Sequence, residues 1–165
     1  MKRTTLHLAK QNFKFSSGHF LIFDDQNAEK LHGHNYRVRV DVRASSGADF
    51  SKSGYLVDFR KLKDVIKAQL DQWDEHVLLP AKQKDMKIES RGSNYDVNFR
   101  ERFYSFPQNE VVLLPVTNTS VEQLSRLLAE SFYQSFKKYQ IEAVGVWVEE
   151  TPGQGASCWV SSNPK

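Results

Sequence analysis

Residues 36–43 read Tyr-Arg-Val-Arg-Val-Asp-Val-Arg, bulky at every even position and charged at every odd one. In a helix this pattern would scatter both sets around the surface. In a strand it places them on opposite faces. The segment is therefore a half-buried strand, and its register is tightly specified, because a slip of one residue would turn the whole apolar row into water. A chain built around such a strand needs a layer to cover that one face.

Just ahead of the strand the sequence runs Glu29-Lys30-Leu31-His32-Gly33-His34-Asn35. On an extended backbone positions i and i+2 share a face, so His32 and His34 present their imidazoles side by side. A third histidine, His19, ends the stretch Phe15-Ser16-Ser17-Gly18-His19. Three neutral imidazoles from neighbouring strands would suit Zn²⁺, which takes histidine nitrogen at ~2.0–2.1 Å. Three protein ligands leave the fourth position to water or substrate, the arrangement of a catalytic ion. The plainer alternative is a strand with two solvent-facing histidines and no metal.

The bulk composition fits a single domain. The chain has 165 residues, 26% of them charged and 39% apolar, enough to bury a core. No apolar run approaches the ~20 residues of a membrane span, so a membrane partner is not expected. One cysteine, Cys158, cannot form an internal disulfide, which points to a reducing cytoplasm. The net charge of +3 tolerates an anionic ligand without arguing for nucleic acid.

Strands are expected over 4–16 and 33–44, with a turn at 45–49. A helix follows over about 60–73, with Leu62, Val65, Ile66, Leu70 and Trp73 on its apolar face. A second helix opens at Thr119-Ser120-Val121-Glu122, a capping-box pattern, and would bury Leu124, Leu127, Leu128, Phe132 and Phe136. Two more strands, 141–150 and 156–161, flank Pro152-Gly153. The class is α+β: a four-stranded antiparallel sheet with two helices on one face. Residues 81–112 read as a hairpin insertion of short strands over 86–91, 95–99 and 103–106, more naturally a surface decoration than a substrate lid.

Several segments in order along the chain resemble the 6-pyruvoyl-tetrahydropterin synthase family, which includes the 6-carboxy-tetrahydropterin synthases. They are Phe15 to His19, His32-Gly33-His34-Asn35-Tyr36, Leu56-Val57-Asp58-Phe59-Arg60-Lys61-Leu62-Lys63, Glu75-His76-Val77-Leu78-Leu79 and Glu150-Thr151. The resemblance implies a tunnelling fold, whose subunits join their sheets into a barrel, and a homo-oligomer, a hexamer of two stacked trimers. It implies Zn²⁺ on His19, His32 and His34, and 7,8-dihydroneopterin triphosphate as substrate. Glu150 matches the family's anchor for the pterin ring; a carboxylate suits the ring's guanidine-like edge, which offers two parallel donors. His76, supported by Glu75 or Asp74, takes the place of its proton relay. Thr119, Ser120 and Glu122 resemble a segment of the ring pocket, although an ordinary capping box explains them equally well. Lys14, Lys30, Arg37 and Arg39 are candidates for the triphosphate, and nothing in the sequence separates them.

The chain departs from the family where most members carry a reactive cysteine, just before the His-Gly-His run. Residues 24–31 contain no cysteine; Glu29 stands there instead, giving Glu-x-x-His-Gly-His. This resembles the family's cysteine-lacking branch, in which a glutamate is the base. That branch cleaves the side chain to leave 6-hydroxymethyl-7,8-dihydropterin, a folate bypass. The other readings are formation of a 6-pyruvoyl or 6-carboxy product, and an inactive pterin-binding homologue. Cys158, near the C-terminus, is expected to be a small apolar filler.

Overall fold

A computed structural model describes residues 3–162; positions 1–2 and 163–165 lie outside the described residues. In chain order the elements are β1 (Thr5–Leu8), β2 (Lys14–His19), β3 (His32–Ala44), α1 (Phe59–Asp71) and β4 (His76–Pro80). There follow β5 (Met86–Arg91), β6 (Asn94–Phe99), β7 (Arg102–Pro107) and β8 (Val111–Leu114). The last are α2 (Val121–Phe136), β9 (Ile141–Thr151) and β10 (Gln154–Ser161), with short 3₁₀ turns at Gln108–Glu110 before β8 and Lys137–Tyr139 before β9.

The alternating strand is central. β3 pairs antiparallel with β2 on one side and with β9 on the other, and β10 completes the expected antiparallel set. Two things extend the expected sheet. The stretch 4–16 is broken by a turn at Gln11 and Asn12, so β1 and β2 both run along β3 as separate pieces. Beyond β2, β4 and β8 add parallel pairs. They are parallel because neither is joined to its neighbour by a hairpin: α1 lies on the path into β4, and a separate three-stranded sheet lies between β4 and β8.

The even-numbered row of β3 faces the core. Tyr36, Val38, Val40 and Val42 are buried, against exposed Arg37 and Arg39. Val144, Val146 and Val148 form the matching row on β9. Over these lie Leu62, Ile66 and Leu70 of α1 and Leu124, Leu128, Phe132 and Phe136 of α2, all in one apolar cluster. Each such side chain contributes about 1.5–3 kcal/mol on burial. Val65 and Leu127, on the same predicted stripes, are only partly buried at the edge. Asp58 caps α1, its carboxylate accepting the Arg60 N–H at 2.8 Å.

β9 and β10 are joined by Pro152 and Gly153. Gly153 has φ +85°, the left-handed second position of a type II turn, with proline pre-set before it. Cys158 packs on the edge of the main cluster, where burial raises its thiol pKa, in line with a filler.

The strands foreseen in 81–112 are present as β5, β6 and β7, an antiparallel meander. It is more than surface decoration. Met86, Val97 and Phe99 form a second apolar cluster with Phe20 and Leu79, against which Ile22, Ala28 and Leu31 pack. The meander thus sits on the loop between β2 and β3.

Candidate functional site

The core-facing row of β3, followed backward from Val38 through Tyr36, arrives at His34 and His32. His32 is the direct cross-strand partner of His19. The apolar row therefore ends in imidazoles at one end of the sheet. The ligand nitrogens of His19, His32 and His34 all lie within 4.8 Å of one another. His19 has no exposed surface, while His32 and His34 are partly open.

Backbone carbonyls set the tautomers. His19 Nδ1–H donates to the Thr119 carbonyl at 3.1 Å and His32 Nδ1–H to that of Lys30 at 2.8 Å. Each leaves an Nε2 lone pair aimed inward, the usual way a protein orients a ligating histidine. The Nε2 atoms of His32 and His34 are 2.9 Å apart. Among the described residues, His19 Nε2 is a buried side-chain nitrogen with no hydrogen-bond partner, although Glu150 Oε1 is only 3.1 Å away. Burial holds the His19 pKa below its ordinary value, against the opposing pull of the Glu150 carboxylate.

Two carboxylates close on these nitrogens. Glu150 continues the valine row of β9, and its Oε1 is 3.6 Å from His34 Nε2 and 3.4 Å from the Tyr36 hydroxyl, which donates to it. Burial first, then Glu150, drives the Tyr36 pKa far up, so its phenol stays protonated and donating. Glu29 Oε2 lies 3.7 Å from His32 Nε2. It also accepts the Leu21 N–H at 3.0 Å, while the Glu29 N–H returns to the Leu21 carbonyl at 2.8 Å. Three imidazole nitrogens within 4.8 Å of one another form a donor set that fits a divalent cation, with Glu150 beside His19 and His34 and Glu29 beside His32.

His76 is the register partner of Ser17, the residue facing His34 across β2 and β3. His34, Glu75 and His76 line one open cavity of about 370 Å³. Neither predicted carboxylate orients His76; its Nδ1–H donates to the Asp74 backbone carbonyl at 2.5 Å. The Asp74 carboxylate accepts the Ser16 N–H at 2.7 Å, and Glu75 is exposed with φ +58°. Asp74→Ala is therefore expected to cost about 1–2 kcal/mol and Glu75→Ala less than ~0.5 kcal/mol, with Asp74→Asn recovering most of the loss. Urea denaturation of the three variants checks the order.

A second cavity, about 390 Å³, is lined by His34, Arg37, Glu149, Glu150 and Thr151 among others. Thr119 is fully buried, its carbonyl behind His19 and its hydroxyl 3.3 Å from the Phe20 carbonyl. Ser120 is the N-cap of α2 without a side-chain cap bond. Glu122 is exposed, and a bond from Ser120 lowers its pKa. The capping box is thus not formed as predicted, and none of Thr119, Ser120 and Glu122 is among the residues lining either cavity. Arg39 pairs with Asp41, as does His7. Sequence reasoning missed Tyr36 as a donor to Glu150; its place in the even-numbered row was the signal.

The family model for 6-pyruvoyl tetrahydropterin synthase matches residues 8–161. The chain belongs to that family. A 6-pyruvoyl tetrahydropterin synthase structure from Plasmodium vivax superposes with a TM-score of 0.87 at 26% identity, covering 98% of this chain and 99% of that one. The tunnelling fold of the family is therefore this chain's fold. Another structure of the Plasmodium vivax protein carries a glutamate, described there as a catalytic residue, replaced by alanine (25% identity, TM-score 0.87, covering 98% and 99%). Among curated relatives, a putative 6-carboxy-5,6,7,8-tetrahydropterin synthase of Methanocaldococcus jannaschii is 29% identical over 146 residues, 87% of each chain. Like its family, the protein is a pterin synthase-type lyase. No helix among the described residues is long and apolar enough to cross a membrane.

Proposed function

We propose that this family member cleaves the side chain of 7,8-dihydroneopterin triphosphate to leave 6-hydroxymethyl-7,8-dihydropterin. The observation carrying the reading is Glu29, whose carboxylate reaches to 3.7 Å from His32 Nε2 in a loop without cysteine. The catalytic glutamate of the Plasmodium vivax relative supports it.

His19, His32 and His34 would hold Zn²⁺, and their donor set also suits other divalent ions. A bound Zn²⁺ supplies Lewis-acid polarisation of a substrate oxygen. Glu29 takes the proton from the hydroxyl on the second side-chain carbon. The bond between the first and second carbons breaks, its electron pair entering the ring system. The second carbon leaves as an aldehyde carrying the triphosphate. His76, held by the Asp74 carbonyl, delivers a proton to the first carbon across the cavity it shares with His34 and Glu75. Glu150 accepts the paired donors of the ring edge, turning from the imidazoles toward the 390 Å³ cavity it lines. Arg37 lines that cavity too, and we assign it first for the triphosphate.

The curated relatives named as 6-carboxy synthases favour a second reading, the 6-carboxy product. Product identification separates the two. Metal-replete protein incubated with 7,8-dihydroneopterin triphosphate, with the oxidised pterins resolved by chromatography and mass detection, is expected to yield 6-hydroxymethylpterin. A pyruvoyl or carboxy product would end the cleavage reading. We further infer assembly of copies into a hexamer of two trimers, using the sheet edges at β10 and β8; light scattering measures it.

A further inference from the structure

Glu29 sits on a loop, yet a catalytic carboxylate must be held to a fraction of an ångström. The Leu21 backbone fixes its N–H and carboxylate from one side. From the other side comes Arg102, at the start of β7. Its guanidinium donates through Nη1 to the Glu29 carbonyl, and through Nη2 to the Ala28 carbonyl at 3.1 Å. The same group stands 5.8 Å from the ring centroids of both Phe20 and Phe99. The fork thus stands beside two aromatic rings, Phe20 at the start of the loop and Phe99 at the end of β6. Two further contacts reach the middle of the loop: Arg100, in the turn between β6 and β7, donates to the Asp24 carbonyl, and Lys84, just ahead of β5, pairs with Asp25 at 3.1 Å. Beneath these polar contacts, Ile22, Ala28 and Leu31 pack on the meander's apolar cluster.

We propose that Arg102 is a positioning residue for Glu29 and that the three-stranded sheet is a clamp on the loop carrying the base. The catalytic part of this inference rests on Glu29 being the base; the clamp itself does not. Arg102 touches neither the imidazoles nor the cavities beside them. It acts through the backbone of Ala28 and Glu29, holding one carbonyl of each at once, a task for which a planar fork is suited and a lysine ammonium is not.

The test combines amide hydrogen exchange with a double-mutant cycle on Arg102→Ala, Arg102→Lys and Glu29→Gln. In Arg102→Ala, exchange of the Leu21 and Glu29 amides should rise at least about tenfold, with β9 amides and metal content unchanged. Turnover should fall through kcat by roughly 10–100-fold with little change in KM, and Arg102→Lys should be intermediate. In the Glu29→Gln background, Arg102→Ala should remove nothing further. Unchanged loop exchange, full recovery with lysine, or an additive loss would each overturn the proposal. If Arg102→Ala does not fold, the lysine variant supplies both readings. Full turnover in Glu29→Gln would sink the base assignment alone, leaving the exchange result to judge the clamp.

Discussion

Glu29→Gln is expected to lower kcat by roughly 10²–10⁴-fold, the span usually lost with a general base. Metal content and melting temperature should barely move. The reason lies in how the side chain is held. Its Oε2 accepts the Leu21 N–H, and a glutamine oxygen can keep that bond, so the loop geometry survives while the proton acceptor is gone. Glu29→Ala makes a harsher control. It leaves the Leu21 N–H without its partner, adding about 1 kcal/mol of destabilisation. Comparing the two variants by steady-state kinetics and thermal unfolding separates chemistry from architecture. Equal activity of Glu29→Gln and the unmodified protein would remove Glu29 from the mechanism.

The second large effect is at His19. If the three histidines hold the proposed ion, His19→Ala should reduce the metal bound there to near none in competition with a mild chelator, and abolish turnover with it. Removing groups that merely orient metal ligands typically costs 10–100-fold in affinity, and removing a ligand itself costs more. Stability should fall twice over. The variant leaves a void in a fully buried position and strips the Thr119 carbonyl of its donor. It also forfeits the linkage from metal binding, about 2.7 kcal/mol when the ion is present at 100 times its Kd. His32→Ala and His34→Ala, at partly exposed positions, should lose the linkage with a smaller packing loss. Elemental analysis and calorimetry with and without chelator distinguish the two contributions. Metal retained at full stoichiometry in His19→Ala would refute the site.

How much of this was legible in the sequence depended on the range of the interaction. The alternation of 36–43 fixes the face of β3 locally, so the buried row, the helix stripes and the pairing of His32 with His34 could all be read from spacing. The two parallel strands could not, since β4 and β8 are short and their pairing depends on where distant elements deposit them. The support of His76 was misjudged for a similar reason. A carboxylate beside a histidine in sequence suggests a side-chain contact, but the turn at Glu75 points it outward, leaving a backbone carbonyl to orient the ring. Thr119 was singled out for its hydroxyl and helix position, whereas its contact with His19 is chiefly through its main chain. Backbone carbonyls have no sequence signature. Nor does Arg102 stand out from other surface arginines until the meander is folded onto the loop.

The pairing of β3 with β9 joins Val38 to Val148 and Arg37 to Glu149, partners from opposite ends of the chain. Closing so long a loop gives little return until most of the sheet is in place, so folding belongs to the slow, non-local regime of milliseconds to seconds. During synthesis the valine row of β3 must wait, without its main partner, until β9 has left the ribosome. Through that interval the nascent chain presents a flat apolar strand of the kind that aggregates. The charged residues alternating along the opposite face of the same strand keep that interval from being hazardous on both sides.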